Sequence, residues 1–290
     1  MRNIILLSTF FFACSNPGQK IFDAHLHGEH DLIKQFQNLE ANGVYEAAVS
    51  SSWEVQQQFN EQFESNNEVK ILNGLFVPCP LGKVPYSRQM QNCYENGNEW
   101  PDVKWVEQQI KESKIDFIGE VLTQYYGISS SDTTMYPFYA LAEKYSLPVG
   151  IHTGSAGPDH GCPNFKEEMG NPVLLQTTLN RFPKMRVWYM HGGAPFVKEF
   201  IDMMKKYPNL YADISVLNNP TIVPAKEFAS LLKLYIDSGL EDRLMFGTDN
   251  ADIKTTVNAI EELDFLSSNQ KEKIFFRNAQ FFFHGKDDLK

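Results

Sequence analysis

Ile21-Phe22-Asp23-Ala24-His25-Leu26-His27 reads as a short apolar strand that finishes on two histidines. Residues two apart on a strand project to the same face, so the imidazoles of His25 and His27 can reach one point. Further β-type runs recur at 44–50, 69–77, 115–122, 148–153, 186–191, 209–215 and 243–248. Amphipathic stretches lie between or after them, at 31–41, 103–113, 136–145, 172–181, 194–206, 224–238, 253–263 and 269–281. Strand, helix and strand repeated in this way imply a parallel sheet with helical crossovers. Eight such strands in 290 residues predict an α/β fold, a (β/α)8 TIM barrel rather than an open doubly wound sheet. No glycine fingerprint follows the first strand, so dinucleotide binding has no support. The stretch 78–101 is the main irregular insertion, and its place after the third strand would lay it over the catalytic face.

The polar residues of these runs gather at one end. His152 closes the fifth run (Pro148-Val149-Gly150-Ile151-His152-Thr153-Gly154) and His191 the sixth (Val187-Trp188-Tyr189-Met190-His191-Gly192-Gly193). Asp249 ends the eighth (Leu244-Met245-Phe246-Gly247-Thr248-Asp249), and Glu120 sits in the fourth (Phe117-Ile118-Gly119-Glu120-Val121). Each alone has a plain explanation. A strand-end histidine is more often a satisfied structural group than a ligand, Asp249 could cap the next helix, and a strand glutamate could pair with a buried arginine. Together these explanations weaken. The chain holds seven histidines, and four fall at strand C-termini, where a parallel barrel collects its reactive groups. Imidazole and carboxylate ligands in that number point to a divalent metal of the zinc type, because calcium and magnesium prefer oxygen shells.

Taken in order, Asp23-x-His25-x-His27, Gly119-Glu120-Val121, Ile151-His152-Thr153-Gly154, Met190-His191-Gly192-Gly193 and Phe246-Gly247-Thr248-Asp249 resemble the amidohydrolase superfamily. The likeness is strongest to its branch of amidohydrolase-related hydrolases and decarboxylases, and it covers nearly the whole chain after Lys20. The resemblance implies that His25, His27 and Asp249 bind the more buried metal. It implies that His152 and His191 bind a second ion, or that one contacts a single ion while the other orients substrate. Glu120 falls where other branches place a bridging carboxylated lysine or glutamate, so one or two Zn2+ ions both remain open. A zinc ion so held lowers the pKa of a water toward ~7. Asp249 is the implied catalytic proton carrier, His191 or His152 the group that polarises a substrate oxygen, and Asp23 a carboxylate behind the ligands. The expected reaction is hydrolysis of an amide, ester or lactone bond of a small molecule. A single-metal non-oxidative decarboxylase, a metal-dependent phosphodiesterase or deoxyribonuclease, and a non-catalytic ligand-binding lipoprotein are the rivals.

Composition narrows these. The chain is 42% hydrophobic and 21% charged with a formal net charge of −10, so a polyphosphate partner meets repulsion on average and nucleic acid is not expected. Arg2, the apolar run from Ile4 to Phe12 and Ala13-Cys14 read as an export signal, too short to span a bilayer permanently. Phe11-Phe12-Ala13-Cys14 resembles a bacterial lipobox, which makes Cys14 the lipidated residue; an ordinary secretory signal is the alternative. Either reading puts residues 1–20 in a signal and tether, and 21–290 in one barrel domain outside the cytoplasm, periplasmic or at the cell surface. Export permits a disulfide, and Cys79 with Cys93 would close a short loop, leaving Cys162 as a free thiol. Gln124, Tyr125, Tyr126, Asp159 and His160 are weaker pocket candidates, Trp53 and Trp100 are lids or packing, and Asp213 is structural.

Overall fold

Eight parallel strands follow one another around a ring: β1 (Ile21–His27), β2 (Val44–Ser51), β3 (Lys70–Val77), β4 (Phe117–Val121), β5 (Pro148–His152), β6 (Arg186–Met190), β7 (Leu210–Asp213) and β8 (Leu244–Met245). Backbone bonds from Ala24 N to Phe246 O and from Asp249 N to His25 O, both 2.9 Å, join the last strand to the first. This is the (β/α)8 TIM barrel expected from the alternation of elements. The computed structural model describes residues 19–29, 31–51, 53, 55–58, 69–77, 100–155 and 164–285. Cys14, Cys79, Cys93, Cys162, Asp159, His160 and most of the 78–101 insertion lie outside the described residues.

The helices are α1 (Leu32–Ala41), α2 (Val103–Lys111), α3 (Tyr136–Tyr145), α4 (Gln176–Arg181), α5 (Val197–Lys206), α6 (Ala225–Asp237), α7 (Ile253–Glu261), α8 (Ser268–Glu272) and α9 (Asn278–His284). Three begin on an aspartate whose side chain accepts a first-turn N–H: Asp31 from Lys34, Asp102 from Trp105 and Asp252 from Thr255. These three helices turn buried apolar residues inward, as Leu32, Phe36 and Leu39 do from α1. Helix α5 starts three residues later than the periodicity suggests. Ala194 precedes a proline and is held extended (φ −65°, ψ 138°), which delays the helix.

Two cores result. The larger lies between sheet and helices, and the smaller fills the N-terminal end of the barrel. In that floor Phe22 stacks on Phe283 with centroids 5.1 Å apart, while Trp188 meets Phe117 at 5.4 Å and Phe282 at 5.5 Å. The pairing of β1 with β2 shifts register between Asp23 and Leu26, and β4 shifts between Ile118 and Val121. Such irregularities re-aim side chains near active sites. Phe22 and Ala24 therefore fill the floor, yet His25 and His27 also turn inward at the opposite end.

Strand β8 is far shorter than the apolar run 243–248 suggests. Its backbone is claimed by the C-terminal segment: Phe246 N donates to Ile274 O (2.8 Å) and Asn278 Nδ2 to Leu244 O (2.7 Å). The predicted helix 269–281 is likewise interrupted by a π turn at Lys273–Arg277. Arg186 Nη1 clamps the last helix by donating to Phe282 O (2.6 Å), and His284 Nε2 lies 2.6 Å from Glu46 Oε1. Replacing Phe283, 8% exposed in this floor, by alanine should cost about 3–5 kcal/mol, whereas Val173→Ala at the surface should stay within about 0.5 kcal/mol. Denaturant unfolding measures both, and equal midpoints would show that the aromatic floor contributes no special stability.

Candidate metal centre

The C-terminal ends of six strands deliver the site. From β1 come His25 (0% exposed) and His27, from β4 Glu120 (2%), from β5 His152, and His191 follows β6 by one residue. Asp249 stands in the turn after β8 rather than on it, in the left-handed region at φ 48°, and its N–H is fixed to His25 O. Every predicted ligand thus converges on one place. Glu120 is its centre. Its Oε1 lies 2.5 Å from His152 Nδ1 and 3.2 Å from His191 Nε2, while its Oε2 lies 3.4 Å from His27 Nε2 and 3.7 Å from His25 Nε2. Each carboxylate oxygen therefore faces a different histidine pair. Asp249 Oδ1 closes the outer side, 3.0 Å from His27 Nε2 and 3.8 Å from His25 Nε2.

Asp23 supports the first pair from behind. It accepts from His25 N (3.1 Å), Thr248 N (3.0 Å) and Thr248 Oγ1 (2.6 Å), which ties β1 to the turn that carries Asp249. Burial pushes its carboxyl up to about 7 against those hydrogen bonds, and it faces no open ligand position. His27 is oriented by Ser50 O at 3.1 Å from its Nδ1 and by the Phe76 ring stacked at 5.4 Å. Tyr125 presents its ring edge-on to His152, centroids 5.6 Å apart. Next to it Gln124, 1% exposed, has no hydrogen-bond partner for either amide atom among the described residues. Tyr126 and Trp100 pack on each other at 5.9 Å, and Trp53 packs on Trp105 at 4.9 Å, so these aromatics serve the core.

Asp213, expected to be structural, and Ser215, which no motif singled out, also belong to this end of the barrel. Asp213, at the end of β7, reaches the site with Oδ2 3.3 Å from His25 Nδ1 and accepts from Trp188 Nε1, His191 N and Ser215 N. Ser215 Oγ lies within 3.1 Å of His25 Nδ1 and 3.0 Å of His191 Nδ1. The available signal was spacing: Asp213-Ile214-Ser215 repeats at β7 the two-residue step of His25-Leu26-His27. Gly247 lets β8 cross close above them. A Cβ there would sit 3.1 Å from His25 Cβ and 3.2 Å from Ser215 Cβ, tighter than ordinary contacts.

Charge couples the carboxylates and imidazoles of the cluster to one another. Burial opposes ionisation of Glu120, yet His152 and His25 outweigh it and hold its carboxyl well below the usual range. Burial likewise disfavours charge on His25, but Asp213 and Glu120 hold its pKa well above the ordinary value. His191 goes the other way, lowered by burial and by the neighbouring His152 and His25. The ligand atoms of His25, His27 and Glu120, and separately of Glu120, His152 and His191, lie within 4.8 Å of one another. His25 Nε2 and His152 Nε2 are buried with no hydrogen-bond partner. Buried imidazole nitrogens without partners, mixed with carboxylates, are the donor set of a divalent transition metal. The residues fit the group.

Comparison with known proteins bears on the fold and the family. The structure is similar to an uncharacterized TIM-barrel protein from Bordetella bronchiseptica, with 19% identity, a TM-score of 0.63, and coverage of 91% of this chain and 98% of that one. It is similar to a probable 2-pyrone-4,6-dicarboxylic acid hydrolase from Acinetobacter baumannii (11% identity, TM-score 0.63, 91% and 98% covered). It also resembles a 5-carboxyvanillate decarboxylase from Novosphingobium aromaticivorans with bound manganese (12% identity, TM-score 0.56, 86% and 80% covered). At such identities the likeness shows the fold. No curated protein matches the sequence. The family model described as amidohydrolase matches residues 97–284, well over half the chain. The chain belongs to the amidohydrolase family.

Proposed function

We propose that this protein is a metal-dependent hydrolase that cleaves an amide, ester or lactone bond of a small molecule, with zinc as its metal. The observation that carries the reading is Glu120, one oxygen facing His25 and His27 and the other facing His152 and His191. In this reading His25, His27 and Asp249 hold one ion, His152 and His191 hold a second, and Glu120 lies between. Imidazoles mixed with carboxylates favour zinc over magnesium or calcium. When bound, such an ion polarises a substrate oxygen and lowers the pKa of a water to about 7.

Asp249 does the proton work. Burial opposes its ionisation, but the hydrogen bond from His27 and the charges of His25 and His27 keep it far below the usual carboxylate range. It is therefore a carboxylate at neutral pH. Its side chain is 26% exposed, against 17% for His27 and 3% for Glu120, so it faces both solvent and the ligand cluster. From there it takes a proton from the attacking water and returns it to the leaving group. His191 has Nδ1 engaged at Ser215 and Nε2 at Glu120, a placement suited to holding an ion. With one ion only, His152 and its unpartnered Nε2 would be left to orient a substrate oxygen.

Asp249→Asn should reduce turnover by about 10²–10⁴-fold while the protein keeps metal at the Glu120, His152 and His191 side. Steady-state kinetics and elemental analysis read the two effects, and full activity in that variant would remove Asp249 from the mechanism. Elemental analysis of the wild type should give two ions per chain, falling by one in a His25→Ala, His27→Ala double variant. One ion in the wild type would hand His152 the substrate-orienting role. The reaction class is tested by supplying lactones, esters and amides beside aromatic carboxylates. Carbon dioxide release with no hydrolysis of the others would replace the hydrolase by the decarboxylase reading.

A further inference from the structure

We propose that Ser215 is a positioning residue whose single hydroxyl fixes the ring protonation of two histidine ligands at once, aiming the Nε2 of both His25 and His191 at the metal. The inference rests on the metal-site reading above and names the group that orients its ligands. A serine hydroxyl has one proton to donate and two lone pairs to accept with. Ser215 uses all three. Its Oγ is 2.6 Å from Asp213 Oδ1, 3.1 Å from His25 Nδ1 and 3.0 Å from His191 Nδ1.

Asp213 decides the direction of these bonds. Its Oδ1 also accepts from His191 N (3.1 Å) and Ser215 N (3.0 Å), and its Oδ2 accepts from Trp188 Nε1 (3.2 Å) and itself faces His25 Nδ1 at 3.3 Å, reinforcing hydrogen on that nitrogen. A carboxylate surrounded by donors is an acceptor only, so the hydroxyl proton goes to Asp213. Ser215 oxygen is then left with lone pairs alone, and both facing Nδ1 atoms must carry hydrogen. Each ring is thereby left with Nε2 toward the Glu120 side, where His25 Nε2 is 3.7 Å and His191 Nε2 3.2 Å from the carboxylate. Ser215 is fully buried under Gly247, so its hydroxyl has no solvent to turn to. The two rings belong to different histidine pairs, one on each oxygen of Glu120. One carboxylate from β7 thereby sets the tautomer of one ring in each pair, His191 through Ser215 and His25 through Ser215 and directly.

The test uses the full-length zinc-loaded protein with 15N-labelled histidine. Long-range proton–nitrogen NMR should show the exchange-protected hydrogen on Nδ1 of both His25 and His191. Ser215→Ala should weaken zinc binding, read by competition with a chromogenic chelator, by about 10- to 100-fold. Ser215→Thr, which restores the hydroxyl, should recover most of that loss, as a mere packing role would not predict. Hydrogen on Nε2 of either ring in the wild type overturns the proposal, and so does a Ser215→Ala protein that binds zinc within about twofold of the wild type. If the alanine variant does not fold, the wild-type tautomers decide alone. A wild type that binds no zinc overturns both the site reading and this one. Zinc binding indifferent to Ser215 leaves the site reading standing and removes only the serine.

Discussion

A buried carboxylate among buried imidazoles is the contact around which the catalytic end of this barrel is organised. Glu120 is 2% exposed and its two oxygens are shared among four histidines from three strands. An ionised group so placed loses its hydration, and only opposed charge or a cation can offset that loss. The surroundings conform to this demand. The pKa of His25 is lifted by Asp213 and Glu120, Asp249 is held ionised beside His27, Ser50 O faces His27 Nδ1, and Ser215 Oγ faces the Nδ1 atoms of His25 and His191.

The surrounding scaffold explains why these residues can be held so closely. Strands of a barrel are locked laterally by the ladder and outwardly by the helices, so their ends move little relative to one another. Breaks in the ladder at Asp23–Leu26 and Ile118–Val121 then redirect individual side chains without loosening the ring. The same strand can therefore contribute Phe22 to the apolar floor and His25 to the polar end. Fold and chemistry occupy opposite ends of the barrel.

How much of this was legible from residues alone depends on distance along the chain. The alternation of apolar runs and amphipathic stretches is a local signal, and it named all eight strands. His25 and His27 were legible because two-residue spacing is a property of any strand, and His152, His191 and Asp249 because each follows an apolar run. Asp213 and Ser215 were not separated from structural residues, since an aspartate and a serine at a strand end are common and only the fold brings them to His25 and His191. The short β8 and the π turn at Lys273–Arg277 were invisible for a similar reason: partners more than twenty residues away claim their backbone groups. Substrate choice is not transmitted by a shared fold.

The sealing of the floor by α9 has a consequence for how the molecule is made. Its contacts reach back across most of the barrel, Phe283 to Phe22 and His284 to Glu46, beside the ring closure of Ala24 with Phe246. No fragment that stops short of α9 contains a finished floor, since His284 and Phe283 meet strands from the opposite part of the chain. Completion of the floor thus waits for contacts of large sequence separation, whose loop-closure entropy is met before they stabilise the ring.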